Sequence, residues 1–88
     1  MKKSVQKSAL KRLSIIEGQI RGLSRMVEGG KYCVDILIQS QAVKKAVSSF
    51  EDLILENHLE THVVEQIKSG KEKQSAREIV KLYQLKIK

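Results

Sequence analysis

The chain contains no proline, so no residue forces a break in a long helix. It has one cysteine, Cys33, which excludes an intrachain disulfide and fits a reducing compartment better than a secreted scaffold. Tryptophan is absent and the aromatics are only Tyr32, Phe50 and Tyr83, too few to build a stacking platform for single-stranded bases. No apolar run approaches the roughly 18 residues of a membrane span, and no signal-peptide stretch opens the sequence. We therefore expect a soluble, cytoplasmic protein without a membrane partner. Its 88 residues form one domain, 1–88. A chain of that size buries only about 60% of its unfolded surface, so oligomerisation or a metal should supplement its core.

What is abundant is positive charge, and it is unevenly placed. Residues 1–25 carry seven Lys or Arg against Glu17 alone, residues 26–67 three against seven acidic residues, and residues 68–88 seven against two. Two basic ends around an acidic middle fit a surface aimed at a polyanion, although a solvated coat would read the same from charge alone. With so few aromatics, duplex DNA held through its phosphates is the better-matched polyanion.

The five glycines punctuate the chain, most strongly at Gly29-Gly30 and then at Ser69-Gly70. Three segments result, and each reads as helix. In the first, Ala9, Leu13, Ile16, Ile20, Leu23 and Val27 recur in alternating steps of three and four, a heptad seam. Ser4 or Ser8 could cap its start, and Gly18 and Gly22 would let a neighbouring helix come close. In the second, Cys33, Ile36, Ser40, Val43, Val47, Phe50 and Ile54 keep the rhythm, while Leu37, Ala46 and Leu53 widen the stripe. The third, about 75–87, sets Ile79, Val80, Tyr83 and Ile87 on one face. From Lys31 to Lys68 nothing interrupts the helix, which predicts a rod of roughly 50 Å or more. A domain this small cannot cover such a rod alone, so the stripe predicts an antiparallel two-fold dimer of helices.

His58 and His62 stand four apart and share a helix face, the spacing of a metal clamp and equally of two surface bystanders. Cys33 alone reads as readily as a small buried hydrophobe. Geometry adds information. Cys33 and His58 lie about 37 Å apart along a continuous helix and cannot meet within one chain. In an antiparallel dimer, Cys33 of one chain approaches His58 and His62 of the other. A thiolate with two imidazoles is a soft, low-coordination donor set suited to Cu(I) or Zn(II).

The stretch EGQIRGLSRMVEGGKYC (Glu17 to Cys33), followed by CVDILIQSQAVKKAV and ENHLETH, resembles the copper-sensitive operon repressor (CsoR) family over nearly the whole chain. The resemblance implies an all-α, three-helix protomer with a very long second helix. It also implies an antiparallel four-helix-bundle dimer assembling into a dimer of dimers, a homotetramer. Members hold operator DNA when unliganded and release it on binding inducer, using a basic surface rather than a helix-turn-helix. Tyr32 and Glu78 match the family's partners of the metal ligands, and Arg12 matches its first-helix arginine. Lys44 falls where an arginine is common, and Lys11 and Arg21 are plausible neighbours at the DNA. His62 stands where copper sensors often have cysteine, which keeps Zn(II) and planar Ni(II) open beside Cu(I).

Related inducers fit less well. Octahedral nickel or cobalt sensing would want an N-terminal histidine, formaldehyde sensing a proline, and persulfide sensing a second cysteine; this sequence has none of them. The expected function is thus a metal-responsive repressor, with a metal buffer lacking an operator as the competing reading. A Cys-His enzyme is disfavoured, because the helix keeps Cys33 from any base in its own chain and no substrate pocket or small-molecule site is evident.

Overall fold

The computed structural model describes the backbone of residues 1–87 and side chains as far as Leu85, so the placement of Ile87 on an apolar face lies outside the described residues. The chain is helical almost throughout, in the order α1 (Lys3–Glu28), α2 (Cys33–His58), a π-helical stretch (Leu59–Val63), α3 (Val64–Lys68) and α4 (Glu72–Ile87). Among the described residues there is no strand, and no helix is long and apolar enough to cross a membrane. His58, Val63 and Val64 keep right-handed helical angles at the junctions, so α2, the π stretch and α3 follow one another without a turn. Three helical runs are thus seen, as the three glycine-bounded segments predict.

The two turns that separate the runs have the same construction. After α1, the N–H of Gly30 donates to the Val27 carbonyl at 3.1 Å and that of Lys31 to the Met26 carbonyl at 3.0 Å. After α3, Gly70 donates to Ile67 at 3.2 Å and Lys71 to Gln66 at 2.7 Å. Both are Schellman caps, which satisfy orphan carbonyls by turning one residue into the left-handed region. That residue is Gly30 (φ +64°) in the first and Gly70 (φ +80°) in the second, where a Cβ would be strained. At the starts of the next helices, the Ile36 N–H donates to the Tyr32 carbonyl and the Ser75 N–H to that of Lys71.

Several boundaries differ from expectation. The N-cap position of α1 is Lys2, whose side chain does not cap the helix, so neither Ser4 nor Ser8 holds that position. Both serines fall inside the helix, because with no competing turn signal the chain coils from its third residue. The second run begins at Cys33 rather than Lys31, since the Schellman cap occupies Lys31. Its α-helical ladder also widens to π spacing at Leu59–Val63. The last helix starts at Glu72, three residues before the apolar pattern reveals it.

The chain forms two compact units, Met1–Leu55 and the part from Glu56 onward. In the first, Ala9, Ile16 and Val43 are buried; in the second, Val63, Asn57 and Ser75 are. Ala9, Ile16 and Val43 all belong to the heptad seams. Other seam members stay open: Ile20, Val27 and Val47 are exposed, as is Leu37 beside them, with Val27 at 62%. In the last helix Ile79, Val80 and Tyr83 are exposed too. A single chain therefore leaves much of its heptad surface in water, a liability that association of chains would relieve.

Candidate metal centre

The π-helical stretch arranges the histidines. His58 ends α2, and His62 lies within the stretch, one position before the buried Val63. A π turn leaves backbone acceptors without their α-helical donors, and here the Thr61 hydroxyl donates to the Asn57 carbonyl at 2.7 Å. Single π turns of this kind recur at functional sites. The two imidazoles stack with centroids 5.4 Å apart and planes 24° from parallel.

Glu78 reaches them from α4. Its Oε2 lies 3.7 Å from His58 Nε2, with the His58 side chain 26% exposed and that of Glu78 40%. The other carboxylate oxygen accepts a hydrogen bond from Gln74 Nε2 at 3.2 Å, one helical turn earlier. Gln74 thus holds the carboxylate from one side while its second oxygen faces the imidazole. His58 thus faces His62 on one side and Glu78 on the other. Gln74 is an addition that the sequence signals only as a polar neighbour at i−4.

Cys33 is a free, exposed cysteine at the first position of α2, and the exposed Tyr32 precedes it as the helix N-cap. Among the described residues, no three His, Cys, Asp or Glu side chains form a cluster able to hold a metal ion. The donors present are nonetheless those a soft ion selects: a thiol and two imidazoles, none tied up in a disulfide.

The basic residues of α1 and α2 fall into two kinds. Lys11 and Lys44 are exposed. Arg21 lies 3.9 Å from Glu17 across one turn, a contact too exposed to hold either side chain firmly. Arg12 differs: its Nη1 donates to the Ser49 hydroxyl at 2.8 Å and to the Ser49 carbonyl at 3.1 Å, joining α1 to α2. Residues so distant in sequence carry no local signal of such a pair.

Comparison with known proteins gives a consistent picture. The profile of the metal-sensitive transcriptional repressor family matches residues 5–84. The copper-sensing transcriptional repressor CsoR of Bacillus subtilis is 43% identical over 72 residues, covering 82% of this chain and 71% of that protein. The copper-sensing transcriptional repressor RicR of Mycobacterium tuberculosis is 43% identical over 60 residues, covering 68% of this chain and 62% of that one. Among solved structures, the copper-sensing repressor CsoR with Cu(I) from Geobacillus thermodenitrificans superposes with a TM-score of 0.93 at 36% identity, covering all of this chain and 92% of the other.

Proposed function

This chain belongs to the family of metal-sensitive transcriptional repressors, and from that premise we propose that it binds operator DNA when metal-free and releases it on taking up Cu(I) at a site shared between two chains. The ligands in this reading are Cys33 of one chain with His58 and His62 of a second. The arrangement of His58, His62 and Glu78 around the π stretch supports it most. Relatives described as copper-sensing, one of them solved with Cu(I), favour that ion over Zn(II) or Ni(II).

The chain's own residues account for the steps. With Nε2 facing the Glu78 carboxylate at 3.7 Å, His58 has Nδ1 left to ligate, and a closer approach of the carboxylate on metal binding would fix which way the ring faces. His62 adds a second imidazole from the same helical face. Cys33 adds the thiolate that makes the set soft. Cys33 of one chain and His58 and His62 of the other would hold Cu(I), which when bound would link the two chains. Cys33 and His58 are the first and last residues of one unbroken helix, so chains associating antiparallel would bring each thiol to its partner's histidines. The exposed heptad positions Ile20, Val27 and Val47, with Leu37 beside them, supply apolar surface for that association, which we extend to a dimer of dimers in the cytoplasm.

The DNA contacts in this reading come from Arg12, Lys11, Arg21 and Lys44, through phosphates, with Arg12 also able to grip a guanine edge. Metal and DNA are then linked reciprocally: whatever factor the metal takes from DNA affinity, DNA takes from metal affinity. An anaerobic titration of the protein bound to DNA upstream of its own gene tests this, with Cu(I), Zn(II) and Ni(II) in parallel and Cys33→Ala as control. Release by stoichiometric Cu(I), abolished in the variant, is expected. Release by Zn(II) or Ni(II) alone would correct the metal, and absence of specific DNA binding would leave a metal buffer in place of a repressor.

A further inference from the structure

Among the described residues of the candidate DNA surface, Arg12 stands out because its guanidinium donates two hydrogen bonds to another helix. Both run from Nη1 to Ser49, 2.8 Å to the hydroxyl and 3.1 Å to the carbonyl. They use the donors of that nitrogen and leave Nη2 and Nε to donate elsewhere. A guanidinium is a rigid fork, so fixing one nitrogen also fixes where the others aim. Arg12 lies in the most basic part of the chain, residues 1–25, where seven cations meet a single Glu. Lys11 and Lys44, by contrast, sit exposed on flexible stems.

We propose that Ser49 is a positioning residue for DNA binding: it holds the Arg12 guanidinium in place on α1 so that its remaining N–H groups meet a phosphate without first having to be ordered. The inference rests on the repressor reading above and adds a residue that does not itself touch DNA. Serine suits the task because its hydroxyl and its carbonyl accept from the same nitrogen. Loss of the hydroxyl would remove the shorter of the two anchors and leave the long side chain held by the carbonyl alone, freer among its rotamers. Each Arg12 engaged would then bind about two- to tenfold more weakly, the ordering cost of one rotamer-rich side chain. Charge would be unchanged, so the salt dependence should survive.

The test measures DNA affinity by fluorescence anisotropy for the full-length, metal-free protein and for Ser49→Ala, Ser49→Thr, Arg12→Ala and the Arg12→Ala/Ser49→Ala double variant. Each is run from low to high salt, on DNA upstream of the chain's own gene and on an unrelated duplex. Alanine favours a helix, so the Ser49→Ala protein should stay folded, and circular dichroism checks that it does. We expect Ser49→Ala to bind about two- to tenfold more weakly for each Arg12 engaged, with wild-type salt slope, and Ser49→Thr to recover. Arg12→Ala should lower the slope by about one phosphate, and adding Ser49→Ala to it should change nothing further. Unaltered or tighter binding by Ser49→Ala, or a loss that adds to that of Arg12→Ala, overturns the proposal. Equal binding of both duplexes defeats the repressor reading alone, since the Arg12-dependent effect of Ser49 is still measured on phosphate.

Discussion

Replacing Glu78 by Gln removes a carboxylate at nearly constant shape and tests whether α4 tunes the histidine pair. Oε2 stands 3.7 Å from His58 Nε2, beyond a good hydrogen bond, and the Glu78 side chain is 40% exposed. Direct Coulomb attraction across that gap is largely screened by water and contributes little. The expected effect is therefore one of orientation: a carboxylate facing Nε2 holds the ring and makes the other nitrogen a better donor. Losing such a partner costs about 10- to 100-fold in metal affinity, or roughly 1.4–2.7 kcal/mol. The assay is competition for Cu(I) against a chromophoric chelator under anaerobic, reducing conditions. Helix content and the DNA affinity of the metal-free protein should stay at wild-type values. A Cu(I) affinity within about twofold of wild type would refute the orienting role. A matching loss of helicity would mean that Glu78 acts on the fold instead.

Three further outcomes follow from the packing. Ile16→Ala, at one of the few buried apolar positions, should cost about 2–5 kcal/mol by denaturant unfolding; a loss under about 1 kcal/mol would mean that Ile16 is not core. Gly70→Ala forces a Cβ onto φ +80° and should cost about 1–2 kcal/mol, whereas Gly18→Ala meets only the tip of Arg21 at 3.8 Å within the chain. If thermal melts show Gly18→Ala to be the more damaging of the two, Gly18 is packed against a second chain. Thr61→Val removes the 2.7 Å bond to the Asn57 carbonyl and should destabilise by about 1 kcal/mol. It should also weaken Cu(I) binding if the π turn sets the ring spacing, and unchanged Cu(I) affinity would separate the turn from the site.

Much of this architecture was legible in the residues. Gly29-Gly30 and Ser69-Gly70 marked the turns because a Schellman cap needs one residue at positive φ, and glycine takes it most cheaply. Ala9, Ile16 and Val43 were legible as core through their three-four spacing. The spacing of His58 and His62 put both rings on one face, where they stack. Periodicity did not distinguish apolar positions buried within one chain from those open for another, so Val27 and Val47 read the same as Ile16. The π stretch was hidden because no glycine or proline marks it; it is seen only once Thr61 bonds back to Asn57. Ser49 and Gln74 were silent for a different reason: a polar residue on a helix announces no partner until the fold supplies Arg12 or Glu78.

The central claim is a metal site made by two chains, and subunit mixing tests it most directly. Cys33→Ala chains and His58→Ala/His62→Ala chains are each loaded with Cu(I) alone, then mixed, allowed to exchange subunits, and loaded again. Neither variant alone should hold Cu(I) tightly. In a two-fold heterodimer the intact Cys33 of one chain faces the intact histidines of the other, so statistical mixing should restore up to about a quarter of the wild-type sites. If subunits demonstrably exchange and no tight Cu(I) site returns, the ligands do not come from two chains and the account is contradicted.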